Sequence, residues 1–356
     1  MRTGITYLPL HYGKAPKWLF DRMVKLSRQI IIAMVTERGP DDVLFRLSDP
    51  YWFQAFGCVL GFDWHSSGLT TTACGALKEG LRGLNAELGI FVAGGKGGAS
   101  RKTPDQIKDF VEKFNPSLNG ELLVYASRMS AKVDNTALQD GYQLYHHNFI
   151  FTKSGLWAVV QQGMDESTRW ARRYHWLSAD VSDFVCEPEK AICCDQKRQV
   201  FNMVAKESDD ARVNSTTLSR EHPESLVSQI KRLETLRLPA EHAIFFKDLK
   251  LDTIKKVLIS TYERQPSNFE ELLGLKGVGP KTIRALALLS ELIYGSNVSR
   301  RDPARYSFAH GGKDGHPYPV DKAIYDRSIN VLRSAINDAK LGRTEKVQAL
   351  KRLAKA

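Results

Sequence analysis

Cysteine is scarce in this chain. Its 356 residues contain five, Cys58, Cys74, Cys186, Cys193 and Cys194, an odd number with no C-x-x-C pair. That excludes a disulfide framework, argues against a dedicated zinc site, and points to a reducing cytoplasm. Cys186, Cys193 and Cys194 could join a histidine on a metal but are read as buried thiols. No run of about 18 apolar residues occurs, so no membrane-spanning helix is expected. The opening Met1-Arg2-Thr3-Gly4-Ile5 lacks the basic start and apolar stretch of a secretory signal. The pattern G-x-x-x-x-G-K-[ST] is missing too, which argues against a nucleoside triphosphate site. Acidic residues are outnumbered, 40 Asp+Glu against 51 Lys+Arg, leaving a net charge of +11. Such a chain is drawn to polyanions. Its 42% hydrophobic content suffices for two or three packed domains.

The most informative stretch present is Leu273 to Thr282, which reads as a helix-hairpin-helix. An apolar helix, Phe269 to Leu275, meets a turn at Gly277-Val278-Gly279, and a second helix runs from Lys281 to Tyr294. Glycines allow a tight turn that presents bare N–H groups, and a helix N-terminus with unpaired donors is an anion site. Lys276 and Lys281 flank the turn with point charges. The expected DNA-binding set is Lys276, Gly277, Val278, Gly279, Lys281 and Thr282, joined by Lys96 from the basic, glycine-rich loop Gly94-Gly95-Lys96-Gly97-Gly98.

Elsewhere the chain divides at a polar stretch, Lys206 to Glu224. Residues 1–200 read as an α/β domain, 201–224 as a linker, and 225–356 as an all-α domain carrying the hairpin. In the first half, Cys58–Phe62, Leu88–Ala93 and Leu122–Tyr125 read as strands, with helices over Thr71–Leu84 and Pro104–Lys113 between them. A β-hairpin follows, Tyr142–Phe151 and Leu156–Gln161, turning at Lys153-Ser154-Gly155. Strand–helix–strand alternation implies a parallel core, so the expected sheet is mixed, with the antiparallel hairpin added.

Candidate chemistry gathers at strand ends. Adjacent His146 and His147 must face opposite sides of a strand, so one can serve a site while the other packs. Asp63 and His65 end the first expected strand, where open α/β sheets put their sites. Asp63, His65, His146, His147 and Gln162 form the expected catalytic set. In a metal-dependent version, Asp63, Asp134 or Asp140 joins a histidine on Mg2+ or Mn2+, with Asp63, His65 and Asp140 the foremost ligands. Arg169, Arg172 and Arg173 with Trp170, Tyr174 and Trp176 form a basic and aromatic cluster, suited to stacking single-stranded bases or to an amphipathic helix that packs its tryptophans inward.

Three resemblances bear on these residues. The run Cys58 to Gly163 resembles, in element order, the phospholipase D superfamily. His146 stands where that family's histidine belongs, while Asn148 and Lys153 replace its lysine and aspartate. This implies a histidine that attacks phosphorus without a metal. The hairpin followed by the Gly/Pro-rich loop from Asp302 and by Asp321 resembles helix-hairpin-helix base-excision glycosylases. That implies Lys281 as Schiff-base lysine and Asp321 as catalytic aspartate, although the loop is longer here and Asp321 also suits a helix N-cap. Gly311 to Gly315 beside His310 reads as a second phosphate nest. Over nearly its full length, through Gly61–Thr72, Tyr145–Phe149, Val159–Met164 and Phe308–Gly315, the chain resembles the archaeal family of domain of unknown function 763, which confers no chemistry. The expected function is a cytoplasmic DNA nuclease. A DNA glycosylase or lyase, or a DNA-binding module without enzymatic activity, is the alternative.

Overall fold

The computed structural model describes residues 17–61, 68–168, 170–194, 196–233, 251–306 and 322–339, with isolated positions up to 349. Along the chain come α1 (Lys17–Arg38), α2 (Pro40–Ser48), α3 (Pro50–Leu60), α4 (Gly68–Leu81), the single turn α5 (Asn85–Leu88), β1 (Ile90–Lys96), α6 (Gly98–Arg101), α7 (Thr103–Phe114) and α8 (Gly120–Lys132). A π-helical turn, Val133–Ala137, leads to β2 (Leu138–Gln139), β3 (Gln143–Thr152), β4 (Trp157–Met164), β5 (Ala171–Leu177), β6 (Ala191–Cys193) and β7 (Phe201–Asn202). Then follow α9 (Asp209–Ser219), α10 (Pro223–Leu233), α11 (Leu251–Arg264), α12 (Phe269–Gly274), α13 (Pro280–Tyr294) and α14 (Lys322–Asp338).

Five strands form one sheet in the order β1-β3-β4-β5-β6, and every pairing in it is antiparallel. The expected parallel core is therefore absent from it, because two of the three expected strands are helical. Cys58 to Leu60 close α3, whose Asp49 cap accepts from the Trp52 N–H at 2.8 Å and whose Pro50 begins the first turn. Nearly every residue of α3 is buried. A helix apolar all round belongs in a core, and a short apolar run does not tell helix from strand. Leu122 to Tyr125 lie in the first turns of α8, capped by Asn119, with Leu123 and Val124 buried and Leu122 and Tyr125 exposed.

Helices cover both faces of the sheet. On one, Ile90, Val92, Ile150, Ala158, Val160 and Leu177 pack against α1 to α4 and α14. On the other, Phe91, Phe149, Phe151, Val159, Tyr174 and Trp176 pack against α7 to α13. This second cluster continues from the sheet to Leu289. The stretch read as a linker contains β7 and α9, and α9 packs along α13. Three of its hydroxyls bond back into their own helix, Thr216 to Arg212 O at 2.8 Å, Thr217 to Val213 O at 3.1 Å and Ser219 to Thr216 O at 2.7 Å. Small self-satisfied side chains of this kind allow a polar-looking helix to be buried.

The expected β-hairpin is present as β3 and β4, and β1 joins it with Ile90 opposite Thr152. Gly94, at φ +94°, lets these strands close. A Cβ there would lie 2.2 Å from the His147 carbonyl oxygen. The Gly94–Gly98 stretch is not a loose loop, since β1 runs through Lys96 and α6 starts at Gly98. Among the described residues no helix is long and apolar enough to cross a membrane.

Candidate functional site

Strand register aligns one row of side chains across the face covered by α1 to α4. Lys96 stands opposite His146, His146 opposite Gln162, Gln162 opposite Arg173, and Arg173 opposite Cys193. Directly paired residues of this kind have Cβ atoms about 5 Å apart. A β-bulge at Tyr145 sets the row, because the β3–β4 register shifts between Leu144 and His146. Bulges re-aim side chains next to functional sites. The Tyr145 hydroxyl accepts from Gln162 Nε2 at 2.5 Å.

The row is buried except at the β1 end, where Lys96 is exposed with Arg101 and Lys102 beside it. His146 is 1% exposed, and neither ring nitrogen has a hydrogen-bond partner among the described residues. Burial, then His147, Lys96 and Lys78, drive its pKa down to about 3. Its imidazole is neutral at pH 7, with a nitrogen lone pair committed to nothing in the described structure. The adjacent Asn148 also keeps its buried Nδ2 without an acceptor.

Cations surround this face. Lys78 of α4 donates to Gly94 O at 2.6 Å and to Gln106 Oε1 at 2.7 Å. Arg173 donates through Nη1 to Gln54 Oε1 at 3.0 Å and through Nε to His175 Nε2 at 2.8 Å. That bond fixes the His175 proton on Nδ1, which faces Leu47 O at 3.2 Å. Burial lowers the pKa of both Lys78 and Arg173. An anion entering from the basic rim at Lys96 would meet a positive interior and offset that desolvation.

His147 has a different role. It faces the other side of the sheet, where Ser127 Oγ donates to Nε2 at 2.9 Å and Nδ1–H donates to Gln161 Oε1 at 2.7 Å. Gln161 Nε2 in turn donates to Ser130 O at 3.0 Å and to Asp134. With both nitrogens engaged and its pKa lowered to about 4 by burial, His147 is a structural residue. Asp134 also accepts from Trp176 Nε1 at 2.8 Å, and burial and neighbouring Glu189 raise its pKa well above the usual carboxyl value.

Asp140, expected as a metal ligand, is otherwise occupied. Its Oδ1 accepts from Tyr142 N–H at 3.0 Å, and its Oδ2 accepts from Arg172 Nη1 at 3.0 Å and Tyr174 Oη at 2.7 Å. Arg172 also grips Asp302 at 2.7 Å. No group of three or more potential metal ligands occurs among the described residues. Arg172, Arg173, Tyr174 and Trp176 are not a surface stacking platform or part of a helix. They form the wholly buried strand β5.

The Leu273–Thr282 stretch is a helix, a turn and a second helix. Asn268 caps α12 by accepting from Glu271 N–H at 2.8 Å, and Pro280 occupies the first turn of α13. Gly277 has φ +92°, which favours glycine. Gly279 is extended, φ −134°, and an added Cβ would meet only Gly277 O at 3.9 Å. The turn thus needs one glycine, not two. The N–H groups of Gly277 and Gly279 have no acceptor among the described residues. Val278 is buried under the turn, Thr282 is buried just beyond it, and Lys276 and Lys281 are exposed on either side. Gly277, Gly279, Lys281 and Thr282 also line a cleft of about 510 Å3 shared with Asn135, Gln139, Ile254 and Arg284.

Asp63, His65, Asp321, Arg169, and the 308–315 stretch with His310 lie outside the described residues. Sequence reading missed Lys78, Asn148 and the role of Arg173. Lys78 carries no motif, Asn148 enters only as a replaced motif position, and only the pairing register reveals that Arg173 shares a row with His146.

Comparison with curated proteins and with solved structures gave no match. The family model described as Protein of unknown function (DUF763) matches residues 4–320, and the chain belongs to that family.

Proposed function

We propose that this protein is a DNA-processing enzyme, a nuclease that hydrolyses phosphodiester bonds at the Lys96–His146–Gln162–Arg173 row and grips the backbone through the Lys276–Thr282 turn. One observation carries the reading: a neutral, buried His146 with both ring nitrogens unpartnered among the described residues, in register between Lys96 and Gln162. Buried polar groups normally find partners, and those left without them mark sites of function. Lys96 would hold an anionic phosphate oxygen, and Arg173, committed to Gln54 and His175, would add positive charge behind the row. A His146 nitrogen would attack phosphorus as the P–O bond to the leaving nucleoside breaks and that oxygen takes a proton from water. Water would then cleave the N–P bond and restore the imidazole. In the metal-dependent alternative, Asp63 and His65 would hold Mg2+ or Mn2+, which would supply an activated water.

The turn supports DNA as the polyanion. Gly279 has no conformational or steric need to be glycine, and a bare backbone is what close approach of a phosphate requires. Such contacts carry little sequence preference and weaken steeply with salt. Incubation of labelled single- and double-stranded DNA with Mg2+, Mn2+ or EDTA tests the reading. Cleavage by the wild type and its loss in His146→Ala is the expected result. An inert wild type, or a variant that cuts at the wild-type rate, overturns it. Lys281 on the lip of the cleft supports a second reading, a lyase forming a Schiff base on an abasic site. Borohydride trapping of wild type but not Lys281→Gln on such DNA would favour it.

A further inference from the structure

We propose that Lys132 is a positioning residue for phosphate binding: its ammonium, half-buried beneath the Leu275–Gly279 turn, aims the amides of Lys276 and Gly279 outward. The inference rests on the phosphate-binding reading of that turn. Lys132 closes α8, a helix of the sheet-bearing body, and its Nζ donates to three carbonyls of the α12–α13 connection. These are Leu273 O at 2.5 Å, Leu275 O at 2.7 Å and Val278 O at 3.1 Å. An ammonium has three donors, and this set uses all of them. The first two carbonyls belong to the C-terminal end of α12, the negative end of its dipole, where a cation is stabilised.

The consequence for the amides follows from peptide geometry. In a trans peptide the C=O and N–H of one unit point in opposite directions, and the described chain contains no cis bond. Turning Leu275 O down toward Lys132 therefore turns the Lys276 N–H up. Holding Val278 O does the same for the Gly279 N–H. Neither amide has an acceptor among the described residues. One half-buried side chain thus orients two donors, and its own positive charge lies beneath the point where a phosphate would sit. Burial lowers the Lys132 pKa to about 8, which leaves it charged at pH 7.

The same helix anchors the other end of α12, where Tyr125 hydrogen-bonds Glu270. It also carries Ser127, the partner of His147, and runs into the turn that holds Asp134. The hairpin is thereby held in a fixed relation to the sheet by α8.

The test uses the full chain and labelled oligonucleotides at constant ionic strength. Lys132→Met, similar in length and without charge, should weaken binding about ten- to a hundredfold, the effect of losing hydrogen bonds to a charged group. Lys132→Ala should regain part of the loss in ammonium or potassium but not in N-methylglucamine, because only small cations can occupy the space left by the ammonium. A purely structural lysine would show no such cation specificity. Should Lys132→Met fail to fold, Lys132→Gln stands in for it, with the same loss expected. Binding by the folded variant equal to that of a DNA-binding wild type overturns the proposal, as does alanine-variant binding indifferent to the cation. A wild type that retains no oligonucleotide refutes the phosphate reading instead. The clasp is then judged by hydrogen exchange, and unchanged exchange at Lys276 and Gly279 in Lys132→Met overturns it.

Discussion

Replacing His146 with asparagine should change how stability responds to acid. In the unfolded chain this imidazole titrates near 6.5, while in the folded protein burial and nearby cations hold it neutral to about 3. Between those values the unfolded chain takes up a proton that the folded chain refuses. Stability contributed by the neutral imidazole is fully present above pH 6.5 and is lost as pH falls, by about 1.4 kcal/mol per pH unit. His147 adds a slope of the same sign down to about pH 4, whereas Asp134 and Glu189, with raised values, act in the opposite sense. The difference between wild type and His146→Asn removes those shared contributions. The variant carries a cavity cost that does not vary with pH, so the wild type's advantage should shrink by about 2 kcal/mol between pH 6.5 and about pH 4.5. Urea denaturation followed by circular dichroism at several pH values reads this directly. If the gap stays constant to within about 0.5 kcal/mol across that range, His146 is solvated or partnered, and the case for an uncommitted imidazole in the row fails.

Four further substitutions probe other parts of the structure. Gly279→Ala should leave urea stability within about 0.5 kcal/mol of wild type, given its extended backbone and open surroundings. It should nevertheless weaken oligonucleotide binding; unchanged binding would remove the turn from the interface. Gly277→Ala, by contrast, should cost about 1 to 2 kcal/mol from its left-handed φ of +92°. Arg172→Met leaves Asp140 and Asp302 buried without their cation and should destabilise the fold by about 3 to 5 kcal/mol at pH 7. A loss below about 1 kcal/mol, the value of a surface pair, would mean that the triad is open to water. Gly94→Ala forces a Cβ against the His147 carbonyl at 2.2 Å. The strands must separate, at a cost of about 3 kcal/mol, read as a lowered Tm.

Where local signals were strong, the sequence could be read directly. The β3–β4 hairpin has apolar runs on either side of a glycine turn, and α7 and α13 have helical spacing that starts at a proline, with α13 closed by Gly295. The failures have particular causes. Cys58 to Leu60 are apolar at every position because α3 is covered on all sides, and uniform burial erases the periodicity that separates helix from strand. β5 was misread for the same reason with charged residues, since Arg172 and Arg173 are both buried, one on each face. Thr216, Thr217 and Ser219 of α9 read as linker residues because their polar groups are satisfied along their own helix, which the sequence does not show.

Net positive charge, the glycine turn between two helices and the opposed pair His146 and His147 are legible in the chain, because each depends on composition or on a period of a few residues. The single row through Lys96, His146, Gln162 and Arg173 is not, nor is the contact of Lys132 with carbonyls more than 140 residues away. Strand order and packing between distant segments set those, and no local pattern encodes either. Which histidine is satisfied and which is left without partners among the described residues was settled by which helices cover each face of the sheet.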